Sequence, residues 1–272
     1  ILVADICARL RLLKTAEPPI RSVGLVFFAT QQQHGPVVVK VKSDTSPNKQ
    51  PRLPACIQTP KLLANVCVGE FSVEVWQRIP AAHITKTPSP WVLTQVEDTL
   101  VSLARCSGDD MSPADYQLVV DNIRARLEHR LVAPCAAATM QQVVGAASTL
   151  AHAPGSCLQH GDFNRGNLLV DDCNSLWVID WDSAHSGPAE WDAATAAMVL
   201  LTQDRWPQFF SNLKARGLLL DKAVLQAAFT LKAFSAFSYV HALNDTTDSD
   251  LTSALVSKRY TISSGLAVLA NL

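Results

Sequence analysis

HGDFNRGNLLVDDCNSLWVIDWDSAHSGPAEWD, residues 160–192, is the stretch on which the reading of this chain turns. Asp162 and Asn167 stand five apart on a polar loop that runs into the apolar triplet Leu168 to Val170. The turn DDCNS separates that triplet from Leu176 to Ile179, and Asp180 follows directly. Two short strands around a turn predict a hairpin, which would set Asn167 at one end beside Asp180 at the other. Phosphoryl transfer from a nucleotide needs such a set. One carboxylate must accept or orient the proton of an attacking hydroxyl. Separate hard oxygen ligands must hold Mg2+ on the phosphates, and because Mg2+ keeps several of its waters, one Asp and one Asn amide oxygen suffice from the protein. H-x-D-x-x-x-x-N is a weak signal alone. Its force comes from the hairpin that follows and the strand-rich segment that precedes it.

That segment, residues 1–79, reads as a lobe made mostly of strand. Gly24 to Thr30 (GLVFFAT) and Pro36 to Val41 (PVVVKV) flank the turn QQQHG and predict a hairpin. Leu62 to Val68 and Phe71 to Ile79, split by Gly69-Glu70, predict a second. Residues 43–60 hold four prolines and read mainly as loop. From residue 80 to 272 the chain reads as mostly helix. Val92, Val96, Leu100 and Leu103 recur at helical spacing. Ser112, Pro113 and Asp115 read as the cap, first position and acidic first turn of a helix carrying Tyr116, Val120 and Ile123. Further helices are expected from about Thr139 to His152 and from Asp221 to Leu243. The expected fold is therefore α+β, in two lobes with a cleft between them.

Composition narrows the function. The 272 residues are 48% hydrophobic with a formal net charge of −1, which gives no basic field for nucleic acid or an anionic membrane. No apolar run is long enough to span a bilayer. The N-terminal residues lack the order of a signal peptide, and a cytoplasmic location is expected. Seven scattered cysteines without a C-x-x-C pair read as free thiols. The histidines other than His160 have no metal-ligand spacing. Glycine patterns of Rossmann or Walker type and a G-x-S-x-G elbow are absent from the sequence.

HGDFNRGNLLV, then VIDWD, then GPAEWD resembles the aminoglycoside phosphotransferase and choline kinase-like family, relatives of the protein kinases. The motif match is strong over about residues 157–200, and the order of elements is compatible over nearly the whole chain. The resemblance implies a protein-kinase-like fold that binds ATP or GTP and phosphorylates a small hydroxylated molecule, such as an aminoglycoside, an amino alcohol or a sugar. It implies Asp162 as catalytic base, His160 as the residue shaping the catalytic loop, and Asn167 and Asp180 as Mg2+ ligands. Asp182 would assist with metal or substrate. Asp192 could face the substrate, but in this family the acid there more often ties the catalytic loop to the following helix. Lys40 would contact the nucleotide phosphates, with Lys42 in the same strand phase as the alternative. Gln77, Arg78 and Ile79 would lie where backbone groups meet the base. Trp181, Trp191 and Trp206 are candidates for an aromatic box around a choline-like acceptor, and the acids at 245–250 for an acidic one. Core packing and a solvated turn are the commoner fates of such residues.

The sequence departs from the family in two places. No Glu lies between Glu17 and Glu70, so the helix carboxylate that pairs with the kinase lysine has no candidate in its usual place. Either the lysine is held otherwise or the first lobe is reduced, and without nucleotide Lys40 is expected to turn to Asp180. The phosphate-covering loop is also thin, since RSVG at 21–24 offers one glycine. These departures keep open a nucleotide-binding pseudokinase acting as a regulatory module. The retained Asp162, Asn167 and Asp180 favour an active enzyme.

Overall fold

The computed structural model describes residues 2–17, 20–21, 25–43, 51–85, 87–127 and 133–243. They fall into two compact units, both discontinuous in sequence. The first comprises Ile1–Lys49, Gln58–Ala82 and Leu169–Ile179; the second comprises Gln50–Ile57, His83–Leu168 and Asp180–Leu272. The acids at 245–250 lie outside the described residues, as does the glycine of RSVG.

The first unit begins with a helix, α1 (Leu2–Leu10), which the sequence reading, of a lobe made mostly of strand, did not single out. Its apolar residues Leu2, Val3, Ile6, Cys7 and Leu10 follow helical spacing, and Ile6 is fully buried. Asp5 in its first turn and Arg9 in its last suit the helix dipole. The strands β1 (Leu12–Lys14), β2 (Ile20–Arg21), β3 (Leu25–Gln31), β4 (Gly35–Lys42), β5 (Leu62–Val68) and β6 (Phe71–Gln77) follow. They form one antiparallel sheet in the order β1-β3-β4-β6-β5, with β2 on β3. The two expected hairpins are β3–β4 and β5–β6. Alternation along the strands separates the faces. Phe27, Ala29, Val37, Val39, Val41, Val73 and Val75 form the core on which α1 packs. Lys40, Lys42 and Glu74 occupy the other face, with Lys40 opposite Glu74 in register.

A smaller three-stranded sheet has the order β10-β9-β7, built from β7 (Ala81–His83), β9 (Leu168–Asp171) and β10 (Leu176–Val178). Asp171 closes the β9–β10 turn by accepting from Trp177 Nε1 at 2.9 Å and from the amides of Ser175 and Cys173 at 2.8 and 2.9 Å. Those bonds, the Trp177 one first, hold its carboxyl below the usual aspartate range.

The second unit is helical. It contains α2 (Pro90–Ala104), α3 (Tyr116–Leu127), α4 (Ala133–Ala151), α5 (Glu190–Leu200), α6 (Trp206–Ala215) and α7 (Lys222–Leu243). A short ribbon, β8 (Cys157–Gln159) with β11 (His185–Gly187), runs antiparallel among them. Ser89 caps α2, accepting from the Val92 amide at 3.4 Å. The cap of α3 is Asp115, which takes the Leu118 amide at 2.9 Å, rather than Ser112. Ser112 to Ala114 are instead held extended against β11, through Ser186 N to Ser112 O and Ala114 N to Ser186 O, both at 2.9 Å. α7 packs against α3, α4 and α5. Among the described residues no helix is long and apolar enough to cross a membrane. The whole is a mixed fold with a sheet-rich N-terminal part and a helical C-terminal part.

Truncating Ile6 to Ala tests whether α1 is integral to the sheet. The substitution leaves a hole in a fully buried site and should cost about 2–5 kcal/mol in urea unfolding. A cost under about 0.5 kcal/mol, the scale of a surface change, would show that α1 adds nothing to the unit.

Candidate active site

The loop after β8 is held from inside by His160. Its ring is fully buried, 4.6 Å from the Trp181 ring and 5.8 Å from that of Phe163. Its Nδ1 accepts the Asp162 amide at 3.3 Å, which places the proton of a neutral ring on Nε2. Two side-chain amides fix the Asp162 carboxylate. Asn164 Nδ2 donates to Oδ1 at 2.7 Å, and Asn167 Nδ2 donates to Oδ2 at 3.0 Å and to the Asp162 carbonyl at 2.9 Å. Asn164 also caps the single 3-10 turn Arg165–Asn167, its Oδ1 accepting the Gly166 amide at 2.7 Å. The sequence reading did not single out Asn164; its spacing, two residues past Asp162, is that of a side chain folding back on a turn. With the nitrogen of Asn167 turned to Asp162, its amide oxygen faces the other way.

The backbone of the loop is clamped as well. The Asp192 carboxylate accepts the His160 amide at 2.6 Å and the Gly161 amide at 3.1 Å. Asp192 is 3% exposed, so these bonds answer for nearly the whole of its solvation. This is the geometry of the tying role. The Gly161 carbonyl accepts Trp191 Nε1 at 3.0 Å and Lys232 Nζ at 3.0 Å. Gly161 has φ +81°, and a Cβ there would overlap the Ser183 carbonyl and the His185 ring. No L-residue fits that position without rebuilding the loop.

β10 delivers Asp180, an exposed residue in left-handed backbone with φ 62° and ψ 65°. That conformation costs a non-glycine residue energy, and such strain gathers at functional sites. Trp181, next in line, is buried against His160, which ties the Asp180–Asp182 turn to the loop of Asp162. Asp182 is exposed. Trp181, Trp191 and Trp206 are 5%, 5% and 7% exposed, so they are packed in the core and do not form an open aromatic box. Among the described residues no three His, Cys, Asp or Glu side chains converge on a point that could hold a metal.

In the first unit Lys40 and Lys42 share the polar face of β4. Glu74, on β6, is 2% exposed; it accepts Lys42 Nζ at 2.9 Å and Trp76 Nε1 at 3.1 Å. A lysine of the β4 pair is thus held by a carboxylate of the neighbouring strand. Glu74 was legible, because VEV in β6 puts one acid between core valines in the phase of Lys40. Gln77, the last residue of β6, is bound into the sheet, its amide donating to the Lys61 carbonyl at 2.9 Å. Ile79 follows β6, 8% exposed, with its carbonyl accepting Ala81 N at 3.0 Å.

Asp192→Ala removes the acceptor of two amides, one of them on the fully buried His160. An unmet buried donor costs about 1–3 kcal/mol, so the variant should lose about 3 kcal/mol or more in urea unfolding. A loss below about 1 kcal/mol would mean that the clamp is not what orders the loop.

Residues 26–228 match the model of the phosphotransferase enzyme family. No curated protein matches the chain in sequence. Among solved structures, the GDP and kanamycin complex of APH(2")-IIIa shares 11% identity at a TM-score of 0.69, over 96% of this chain and 98% of that one. A macrolide 2'-phosphotransferase type I shares 14% at 0.62, over 93% and 95%. A spectinomycin phosphotransferase, in complex with ADP and spectinomycin, shares 16% at 0.59, over 93% and 90%. The likeness in these structures is one of fold, and the family match over three-quarters of the sequence is what settles membership: the chain belongs to the phosphotransferase enzyme family.

Proposed function

We propose that the chain transfers the γ-phosphoryl group of ATP or GTP to a hydroxyl of a small molecule, with Asp162 as the base. The observation that carries this reading is the pair of amides on the Asp162 carboxylate. They fix its plane, so that a hydroxyl brought to it is aligned before reaction, and alignment is the larger part of catalysis in phosphoryl transfer. Asn167 serves twice on this view. Its nitrogen holds Asp162, and its oxygen, with the exposed carboxylate of Asp180, offers the hard donors that Mg2+ takes. When bound there, Mg2+ would supply charge neutralisation for the phosphates. Asp182, exposed on the same turn, would assist with metal or acceptor.

In the first unit, the polar face of β4 and β6 carries the residues proposed for the nucleotide. Lys40 is the proposed phosphate ligand, with Lys42 as its alternative, and Glu74 does what a helix carboxylate does elsewhere in kinase-like folds. Backbone groups of Gln77 to Ile79 would meet the base. The solved structures of similar fold hold GDP with kanamycin in one case and ADP with spectinomycin in another. That favours an acceptor rich in hydroxyls, such as an aminoglycoside or a related amino alcohol or sugar.

A panel of hydroxylated acceptors, read by release of ADP and GDP, tests the reaction. Asp162→Asn should keep Mg·NTP affinity and lower turnover by roughly 10²-fold or more. Asp180→Ala should weaken Mg·NTP affinity as well as turnover. Equal loss of affinity in the two variants would sink this division of roles. Glu74→Gln should raise the nucleotide KM more than it lowers kcat, because the lysine it frees must be reordered at each binding event. An unchanged KM would remove Glu74 from the nucleotide site.

A further inference from the structure

Lys232 lies near the middle of α7, seventy-one residues from the loop it touches. Its Nζ donates to the Gly161 carbonyl at 3.0 Å and sits 4.0 Å from the centroid of the Trp191 ring. That carbonyl also accepts Trp191 Nε1, so the lysine is its second donor. The peptide concerned is the one between Gly161 and Asp162, a rigid plane. Its oxygen is gripped by Trp191 and Lys232, and its N–H by His160 Nδ1. Any rotation of that plane swings the Asp162 side chain.

The ammonium has a defined set of neighbours. The carboxylates of Asp192 and Asp162 both favour its charge. The His185 ring beside Gly161 feels the lysine, and its own burial, the larger effect, holds it below the usual histidine range. Among the helices packed on α7, α4 carries no charged residue. On α5 the other acid, Glu190, is engaged by the Asp221 amide at 2.6 Å. On α3, Asp121 pairs with Arg124, and Arg126 reaches Ser238 Oγ at 3.5 Å.

We propose that Lys232 is a positioning residue for phosphoryl transfer, holding the Gly161–Asp162 peptide so that the base keeps its aim on the acceptor hydroxyl. The proposal rests on the phosphotransferase reading above. Burial pushes the ammonium down to about 8, against the pull of the two carboxylates. Folding therefore disfavours the protonated form. The stability cost is full below about pH 8 and fades as pH rises toward the usual lysine value. A charge kept at such a cost, on a carbonyl that has another donor, points to a role in function.

Lys232→Met keeps the stem and leaves the Trp191 bond to the carbonyl in place. It is compared with Lys232→Arg and the wild type in three readouts. These are hydrolysis of Mg·ATP and Mg·GTP without acceptor from pH 6 to 10, calorimetric Mg·NTP affinity, and thermal melting at pH 7. The methionine variant should lose turnover by about 10- to 100-fold, the scale of a misplaced reacting group. It should keep nucleotide affinity and melt at or above the wild type. Arginine stays charged throughout, so Lys232→Arg should recover most of the turnover and lose the alkaline fall expected of the wild type near pH 8. The 15N shift of the Asp162 amide, followed without nucleotide, should titrate near the same pH in the wild type and not in either variant. Full hydrolysis by Lys232→Met, an alkaline fall unchanged in Lys232→Arg, or a flat Asp162 amide in the wild type would each overturn the proposal alone. So would a methionine variant that melts early and loses affinity in step with turnover, since that is a merely structural part. A wild type that binds neither Mg·ATP nor Mg·GTP would bring down the phosphotransferase reading first, and this proposal with it.

Discussion

The carboxylate of Asp192 is the constraint on which the loop of Asp162 depends. It is buried, and the backbone amides of His160 and Gly161 are what it has in place of water. A charge withdrawn from solvent must keep its donors, so the two amides stay parallel and the chain must turn sharply after them. That turn is the left-handed Gly161, which presses against the Ser183 carbonyl and so reaches the Asp180–Asp182 segment. The helix that supplies Asp192 also supplies Trp191, whose indole takes the Gly161 carbonyl. One helix start thus fixes both sides of one glycine. Asp162 inherits its position from that arrangement before any amide touches its carboxylate.

Much of this was written in residues 160–192. The hairpin β9–β10 was legible because two short apolar runs bracket a polar turn, and Asp171 caps that turn locally. The sheet of the first unit was legible from β-branched alternation in VVVKV. α1 escaped notice although its apolar residues follow helical spacing, since it is short and the runs after it are strongly strand-like. The start of α3 was misplaced because Ser112 and Pro113 carry local helix signals that pairing with Ser186 overrides. Local propensity loses to a backbone ladder whenever the ladder satisfies more buried groups. Lys232 was beyond reach for another reason. A lysine in an apolar helix looks like a solvated position, and only the return of the chain shows it facing Gly161. Glu74 sits between these cases: its strand phase was readable, but its partner on β4 needed the register.

The loop and turn carry a mixed charge. Asp162 lies on the loop and the exposed Asp180 and Asp182 on the turn, with Lys232 on the Gly161 carbonyl. Asp192 is spent on backbone amides, and Trp181, Trp191 and Trp206 are in the core. On the proposed reading, the exposed side chains of the turn are polar, which suits an acceptor that offers hydroxyls.

On the proposed reading, a lysine held by Glu74 and not by a helix carboxylate has a mechanical consequence. Where a kinase-like lysine is held by a helix, the helix can swing, and its position becomes a switch. Glu74 belongs to β6, paired on one side with β4 and on the other with β5. To withdraw from Lys42 its backbone would have to break a ladder in the interior of the sheet, at a cost set by several buried hydrogen bonds. Side-chain rotation is hindered too, because Trp76 Nε1 holds the second carboxylate oxygen. On the proposed reading, the lysine end of the nucleotide site is formed before nucleotide arrives and stays formed after it leaves. Control of turnover then has to act elsewhere, at the loop of Asp162, where the clamp on Gly161 is made of side chains from two helices and can be loosened without unfolding either.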